Sequence, residues 1–257
     1  MITSPDNEKL KLIRRLRERK HREREGLFAA EGEDIVEEGL AAGLLPEESF
    51  VAAERAPDDQ LINRLGRGGR PVHLVADAVL AALGSLGHPA RVIAVFRRDL
   101  LPQRVPEHDL GVFLHRVIDP GNVGTVVRAA GALGPAFVAL SPGCSDPFSG
   151  KGVRASMGAV FRVPIESGEA PPQHMRQIGL VASGGDPVWE IDLAEPVVFL
   201  VGAERHGLPP ELVAGCQQLA TIPQASGADS LNAAAAATIA LYETARQRAR
   251  PSPGSPA

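Results

Sequence analysis

The sequence predicts an α/β protein, and the order of its apolar segments is the clearest sign. Short apolar runs at 110–117, 136–140 and 197–201 alternate with longer segments of helical composition. Near-continuous apolar runs of this length are typical of parallel strands that are covered on both faces. Turn residues separate the runs at regular intervals, as in chains where strands and helices alternate. We therefore expect a small α/β domain followed by a domain with a parallel sheet.

The first hundred residues supply the elements of the small domain. Residues 8–25 have helical composition, with an apolar stripe at Leu10, Ile13 and Leu16. Strands are predicted at 27–30, 49–53, 72–75 and 92–96, and helices at 34–42, 58–65 and 76–83. Two prolines and mixed charges mark 101–109 as the linker. The predicted domain therefore covers residues 1–105.

The second half shows the same alternation more clearly. A turn at 119–122 precedes a helix at 123–133, and a long loop at 141–152 precedes a helix at 153–159. Further strands are predicted at 161–165, 179–182 and 219–222. An alanine-rich helix follows Ser230 and Asn232, which are residue types that cap helix starts. This domain covers 106–249, and the apolar-poor tail 250–257 is predicted to be disordered.

Charge is distributed unevenly along the chain. The 257 residues have a net charge of −4, but residues 1–25 contain nine Lys or Arg against five acids, which is +4 and leaves −8 for the rest. A basic end is the electrostatic footprint of a polyanion such as RNA, although a solvated helix face has the same composition. No run reaches the roughly 18 apolar residues that span a bilayer. The N-terminus has no apolar signal core, so we expect a cytoplasmic protein.

Two cysteines, Cys144 and Cys216, are too far apart to indicate a zinc site or a disulfide framework. The segment 143–152 resembles a phosphate-binding loop only superficially, because Lys151 is followed by Gly and the spacing is wrong. No GxGxxG follows the first strand, which argues against a dinucleotide-binding Rossmann site. His206 is a candidate catalytic histidine, but a loop histidine beside Arg205 is more often a surface residue. His115 is expected to lie in the core or directly behind the site residues. No catalytic triad or metal cluster is predicted.

Three loops follow predicted strands of the second domain, at 119–125, 202–209 and 222–232. In open α/β sheets ligands bind at the carboxyl ends of strands, so these loops predict one site. The candidate side chains combine one fixed cation, one carboxylate and several neutral hydrogen-bonding groups. They are Asn122, Arg128, Glu204, Ser230 and Asn232.

Three segments resemble the motifs of the SpoU (TrmH) family of RNA ribose 2′-O-methyltransferases, in the SPOUT superfamily. They read DPGNVGTVVRAA at 119–130, FLVGAERHGLP at 199–209 and IPQASGADSLNAAAAA at 222–237. Residues 151–165 resemble the family's stretch between the first two motifs. Residues 8–45 are similar to the ribosomal-protein-like substrate domain that precedes many members.

The resemblance implies a trefoil-knotted methyltransferase domain that binds S-adenosylmethionine through backbone groups at Gly202, Ile222 and Leu231. It places Asn122, Arg128, Glu204, Ser230 and Asn232 on functional positions, with no metal. It also implies a homodimer formed through the C-terminal domain. The expected RNA contacts, from the basic segment and the stretch between motifs, are Arg14, Arg15, Arg17, Arg19, Lys20, Arg22, Arg154 and Ser156. Gln224 departs from the family's usual apolar residue.

The implied reaction is methyl transfer from S-adenosylmethionine to a ribose 2′-hydroxyl of RNA. Arg128 is the family's candidate base, but a guanidinium is almost never neutral in a protein, so we assign it to a phosphate and to orienting the hydroxyl. The long N-terminal domain favours rRNA over tRNA as substrate. The alternatives are the same reaction on tRNA, a non-catalytic RNA-binding or ribosome-assembly factor, and a methyltransferase for a substrate other than RNA.

Overall fold

The computed structural model describes residues 1–84, 89–225 and 231–249, which divide into two compact units. The helices are α1 (Glu8–Arg15), α2 (Arg19–Glu25), α3 (Glu33–Ala41), α4 (Asp59–Leu65), α5 (Asp77–Leu83), α6 (Pro120–Leu133), α7 (Gly150–Ala155), α8 (Pro210–Gly215) and α9 (Ala233–Arg248). The strands are β1 (Leu27–Glu31), β2 (Glu48–Ala52), β3 (Val72–Val75), β4 (Val92–Arg97), β5 (Leu110–Leu114), β6 (Ala136–Leu140), β7 (Ile165–Ser167), β8 (Arg176–Leu180), β9 (Asp186–Pro187), β10 (Val197–Val201) and β11 (Gln218–Thr221).

A four-stranded sheet organises the first unit, in the order β1-β4-β2-β3. β4 runs antiparallel to β1 and β2, and β3 runs parallel to β2. The predicted apolar stripe is buried in its core, since Leu10, Ile13 and Leu16 are at most 3% exposed. The alternation of strands and helices expected for this part of the chain is confirmed.

The basic N-terminal segment differs from the continuous helix expected over 8–25. α1 ends at Arg15, and Glu18 adopts an extended conformation (φ −93°, ψ 133°) before α2 begins. Gly26 then ends α2 in the left-handed conformation (φ 66°), which glycine adopts without steric cost. The break between the helices is packed in place because Leu16 is buried.

The segment Asp146–Arg162 belongs to the first compact unit, although it follows β6 in the chain. Its Phe148 and Phe161 rings lie 5.2 and 5.6 Å from the ring of Phe28, measured between centroids. The first unit therefore contains residues 1–102 and 146–162, and the second contains 103–145 and the chain from 163 onward. A single cut near residue 105 does not separate these units, and the boundary predicted there stays a prediction.

A seven-stranded sheet forms the core of the second unit, in the order β7-β6-β5-β10-β8-β11-β9. Every pairing in it is parallel, as the apolar runs predict. β5, β6 and β10 are buried along their whole length. These strands are covered on both faces of the sheet, so the side chains on both faces are apolar and no alternation of polar and apolar residues is seen.

Several predicted bounds in the second half are wrong. β5 ends at Leu114, not at 117, because Arg116 adopts a left-handed backbone (φ 52°) that no strand continues through. α6 begins at Pro120 and absorbs the expected turn, since proline suits the first helical position. α7 begins inside the predicted loop, and the strand expected at 161–165 is replaced by a 3₁₀ turn at Ala159–Phe161 followed by β7. α8 and β9 were not predicted.

The last helix is present as expected. Asn232 caps it, because its Oδ1 accepts hydrogen bonds from the backbone N–H groups of Ala234 (2.8 Å) and Ala235 (3.3 Å). Ala233, Ala234 and Ala237 are buried, and α9 packs against α6. Ser230 and the tail 250–257 lie outside the described residues. Among the described residues, no helix is long and apolar enough to span a membrane.

Candidate active site

The site is built on the carboxyl ends of parallel strands in the second unit. β5 and β10 are neighbours in the sheet, and β8 lies between β10 and β11. The loops that follow β5, β10 and β11 therefore open at the same edge of the sheet. These are the three loops in which the sequence placed its candidate residues.

Hydrogen bonds join one residue from each of the three loops. Asn122 donates from Nδ2 to Oε1 of Glu204 at 2.7 Å. Asn232 donates from Nδ2 to Oδ1 of Asn122 at 3.0 Å. All three residues are candidates predicted from the sequence, and the structure places them in contact across 82 and 110 residues of chain.

Both asparagines are held by the starts of helices. The backbone N–H of Asn122 donates to the capping carboxylate of Asp119 at 3.0 Å, which fixes the first turn of α6. Asn232 uses its carbonyl oxygen to cap α9, so only its amide nitrogen is available for Asn122. The helix caps therefore set the amide orientations. An amide nitrogen has two donors, and each asparagine uses one of them within this chain of bonds.

Arg128 lies on the exposed side of α6. Its guanidinium has no hydrogen bond or ion pair within the described residues, and Glu204 bonds to Asn122 instead. The simplest structural alternative for this arginine, an ion pair with Glu204, is therefore not formed. Arg128 is six residues along α6 from Asn122, which is about 9 Å along the helix axis. As a fixed, solvated cation it is available for a phosphate.

A cavity of about 330 Å³ opens beside these residues. Its lining includes the three residues expected to hold the cofactor, Gly202, Ile222 and Leu231. Apolar side chains of Leu180, Val201 and neighbouring alanines complete the wall, and Glu204 adds a carboxylate. A concave, mostly apolar site with a few polar groups is typical of a small-molecule pocket of this size.

Gly202 is required by the close approach of two backbone segments. A Cβ built on it would lie 2.0 Å from the carbonyl carbon of Gly207 and 2.3 Å from the nitrogen of Leu208. The loop folds back at this point, since the N–H of Gly207 donates to the carbonyl of Ala203 at 2.8 Å. Gly207 has a φ of 63°, which suits glycine. The tight turn brings residues 202–207 to the cavity wall together.

Several residues that line this cavity were not predicted from the sequence. Leu180, Val181 and Ala182 reach it because β8 lies between β10 and β11. The sequence predicts a strand at 179–182, but it does not predict where that strand lies in the order of the sheet. His206 is exposed, as expected for a surface histidine, and it also lines the cavity rim with Arg205.

His115 lies just beyond β5, where its backbone N–H donates to the carbonyl of Val201 at 2.8 Å. Burial, with a further contribution from the neighbouring Arg116 cation, lowers the pKa of His115. Both effects favour the neutral imidazole, and the side chain is half-buried. Neither Cys144 nor Cys216 forms a disulfide within the described residues, and burial raises the pKa of Cys216. No group of metal-binding side chains occurs among the described residues.

Two of the expected RNA contacts are wrong for this conformation. Arg22 is 3% exposed and pairs with Asp146 at 2.6 Å, while its Nη1 donates to the carbonyls of Leu16 and Arg17. Ser156 is fully buried and donates to the carbonyl of Val153 at 2.6 Å. Both groups are used within the first unit, so neither is available to a ligand.

The other expected RNA contacts are reachable, but many have partners. Arg17 donates to the carbonyls of Ala82 and Leu83 at the end of α5. Acidic neighbours pair with three exposed cations, Arg15 with Glu25, Arg19 with Glu23 and Lys20 with Glu18. Arg14 donates to the carbonyl of Pro5, and Arg154 is partly buried. Exposed ion pairs are worth little and can exchange for phosphate, so these residues stay predictions.

Comparison with known proteins places the chain in a family. Residues 109–242 match the model of the SpoU rRNA methylase family, and residues 7–94 match an MRM3-like substrate-binding domain. An uncharacterized tRNA/rRNA methyltransferase of Synechocystis is 33% identical, over 96% of this chain and 94% of its own length. The 23S rRNA (guanosine(2553)-2′-O)-methyltransferase RlmP of Bacillus subtilis is 29% identical, over 94% of this chain and 97% of its own.

A solved structure agrees with these matches. The SpoU methyltransferase AviRb of Streptomyces viridochromogenes, in complex with the cofactor AdoMet, superposes with a TM-score of 0.83 at 28% identity. The superposition covers 94% of this chain and 98% of that one. The motifs, the parallel sheet and these matches agree, and the chain belongs to the SpoU rRNA methylase family, with a substrate-binding domain ahead of its methylase region.

Proposed function

We propose that this protein transfers a methyl group from S-adenosylmethionine to a ribose 2′-hydroxyl of RNA, with ribosomal RNA as its substrate. The observation that carries the proposal is the joining of the three motif loops by the Asn232–Asn122–Glu204 hydrogen bonds beside a cavity lined by Gly202, Ile222 and Leu231. Arg128, a cation with no partner within the part of the chain that the structure describes, lies on the helix that carries Asn122.

The cavity fits the proposed cofactor in chemical character. Its apolar wall suits an adenine ring, and backbone groups around Gly202 and Ile222 offer donors and acceptors to the ring edges. When bound, S-adenosylmethionine supplies the activated methyl group. The residues of this chain then have to bind the cofactor, align the ribose hydroxyl and help its proton leave.

Arg128 is assigned to the RNA phosphate next to the target ribose. A guanidinium stays charged at all physiological pH values and binds phosphate through parallel N–H donors. Because Arg128 is exposed and has no partner within the described residues, such binding breaks no existing interaction. The bound phosphate fixes the position of the hydroxyl, and the proton leaves to phosphate or water.

Asn122 and Asn232 are assigned to the ribose, through the amide N–H that each retains. Glu204 accepts from Asn122 and so holds the loop after β10 against α6. Ser230 joins them by resemblance to the family. The three described side chains form a prearranged set, which lowers the cost of ordering the substrate.

Ribosomal RNA is favoured over tRNA by two observations. The B. subtilis relative acts on 23S rRNA and aligns with this chain over nearly the whole of both. A substrate-binding domain also precedes the methylase region. We assign residues 1–105 to RNA binding and 106–249 to catalysis, in the cytoplasm.

A homodimer formed through a knotted C-terminal domain is part of the proposal. Tyr242 on α9 and Trp189 in the 3₁₀ turn Val188–Glu190 are 56% and 52% exposed, and each is the sole residue of its type in the chain. Large exposed aromatic side chains are enriched at protein interfaces. Sedimentation equilibrium tests this part, with a monomer at micromolar concentration as the contrary result.

Substrate choice is tested with tritium-labelled S-adenosylmethionine and separated rRNA and tRNA that lack their natural methylations. Label in rRNA alone supports the proposal, and label in tRNA alone overturns the choice of substrate. Tight binding of cofactor and RNA without label in either RNA would instead favour the non-catalytic RNA-binding factor.

A further inference from the structure

A short exposed segment, Arg116–Ile118, lies between β5 and α6 and has no role in the function described above. Arg116 and Ile118 point to solvent, whereas Val117 between them is fully buried. Ile118 is 71% exposed, which is high for a large aliphatic side chain beside a ligand site. We call these three residues the ledge.

The ledge is held rigidly by the loop that follows β6. The N–H of Arg116 donates to Oγ of Ser141 at 3.0 Å, and the N–H of Ser145 donates to the carbonyl of Val117 at 2.9 Å. Oγ of Ser145 donates to the carbonyl of Ile118. Each ledge residue is therefore tied by its backbone to residues 141–145. The exposed side chains of Arg116 and Ile118 therefore project from a backbone that is held in place by hydrogen bonds.

Arg116 is an available cation in an uncommon conformation. Its guanidinium has no hydrogen bond or ion pair within the described residues. Its φ is 52°, and among the described residues other than glycine only Met157 (φ 48°) also has a positive φ. A non-glycine residue in this region costs of order 1 kcal/mol, and such positions cluster at functional sites.

The ledge lies close to the site along the chain. Ile118 directly precedes Asp119, the cap of α6, and Asn122 is four positions further along the chain. Even a fully extended chain spans only about 14 Å over that distance. An RNA whose ribose lies against Asn122 therefore brings its neighbouring nucleotides past the ledge.

We propose that the ledge is an RNA-binding element, in which Arg116 binds a backbone phosphate and Ile118 packs against a base next to the target nucleotide. Single-stranded RNA has a negatively charged backbone and bases with apolar faces. The Arg116 cation can bind the first, and the exposed Ile118 side chain can pack against the second. The assignment rests on the proposed function, because it needs the ribose at Asn122.

The test compares substitutions that keep the backbone and change the chemistry. Asn tolerates the left-handed conformation, so Arg116→Asn removes the guanidinium without straining the backbone, and Arg116→Lys retains the charge. Arg176→Gln is the matched control, because it removes a charge whose guanidinium donates to Asp192 O and to Gln218 within its own unit. Ile118→Ser removes the apolar contact at an exposed position.

Binding of a mixed-sequence 30-nucleotide single-stranded RNA is measured over a range of salt concentrations. Arg116→Asn is expected to lower affinity roughly tenfold and to reduce the slope of log K against log salt by about 0.7. Arg116→Lys and Arg176→Gln are expected to keep the wild-type slope. Ile118→Ser is expected to lower affinity severalfold at an unchanged slope, because no charge is lost.

Turnover on rRNA gives a second readout. Arg116→Asn is expected to raise KM for RNA while kcat and the Kd for S-adenosylmethionine stay at wild-type values. This result is expected when the ground state and the transition state lose the same binding energy. If Arg116→Asn keeps the wild-type slope of log K against log salt and still methylates RNA, the ledge does not bind RNA, and the proposed function is unaffected. A wild type that neither binds nor methylates RNA would overturn both. If Ile118→Ser dissociates a dimer but leaves RNA affinity unchanged, the ledge is a protein interface and the inference is wrong.

Discussion

Asn122 is the residue at which the three motif loops meet. Its carbonyl accepts from Asn232 and its amide nitrogen donates to Glu204, so both ends of one side chain carry a loop-to-loop bond. An aspartate at this position keeps the shape and loses the donor. It would also place a second carboxylate within hydrogen-bonding distance of Glu204.

Asn122→Asp is therefore expected to be more damaging than Asn122→Ala. Repulsion between two carboxylates separates the loops, whereas alanine removes both hydrogen bonds but leaves Glu204 and the Asn232 amide free to bond to water, which costs about 1 kcal/mol for each lost bond. Rates of methyl transfer and cofactor affinity are measured for both variants at pH 7 and pH 5. Recovery of Asn122→Asp at the lower pH is expected, because protonation of one carboxyl removes the repulsion. Equal activity of the two variants at pH 7 would contradict the assigned hydrogen-bond directions.

Arg128 offers a test of charge against geometry. Arg128→Ala is expected to lose at least about a hundredfold in rate, because the phosphate that orients the hydroxyl is released. Arg128→Lys keeps the charge but not the planar fork, so it is expected to retain an intermediate rate. The melting temperature should not change in either variant, since the side chain is exposed and has no partner within the described residues. Wild-type rates for the alanine variant would remove Arg128 from the mechanism.

At the scale of elements, the loop after β10 depends on the absence of a side chain at Gly202. Gly202→Ala would place a Cβ 2.0 Å from Gly207, and backbone cannot yield as a flexible side chain does. We expect Gly202→Ala to weaken binding of S-adenosylmethionine strongly and to destabilise the fold by about 1–3 kcal/mol. Gly215→Ala is the control, because a Cβ there meets nothing within 4 Å. Calorimetry and urea unfolding measure the two effects, and unchanged affinity in Gly202→Ala would place the cofactor elsewhere.

Elements also show which features of the site a sequence can predict. The motif loops were predictable because turn residues, helix caps and strand ends are visible in the local sequence. That the loops lie close together follows from the parallel sheet, in which successive strands end at the same edge. The burial of Arg22 was not predictable, because its partner Asp146 is 124 residues away and a buried arginine has the same local pattern as a solvated one. Ser156 was misassigned for a related reason, since its segment packs in the first unit. α8 was missed because its start at Pro209 and Pro210 resembles a loop.

At the scale of the whole molecule, the Arg22–Asp146 pair joins distant parts of the chain inside the first unit. Its two side chains are 4% and 8% exposed, and Asp146 also accepts from the N–H of Phe148 at 2.9 Å. Removing one partner of a buried pair leaves an uncompensated charge, which typically costs about 3–5 kcal/mol. We expect Arg22→Met to destabilise by that order in urea unfolding.

The double variant Arg22→Met with Asp146→Leu is expected to recover much of that stability, because no buried charge is left. If Arg22→Met loses RNA binding and the stable double variant does not regain it, Arg22 contacts RNA as the sequence predicted. If RNA binding recovers with stability, the role of Arg22 is structural.

The chemical identity of the methylated product tests the central claim most directly. After reaction with tritium-labelled S-adenosylmethionine, rRNA is digested to nucleosides and the labelled species is identified by chromatography. The account predicts a 2′-O-methyl nucleoside for the wild type and no label above background for Arg128→Ala. Label on a base, or equal label from the wild type and Arg128→Ala, would contradict it.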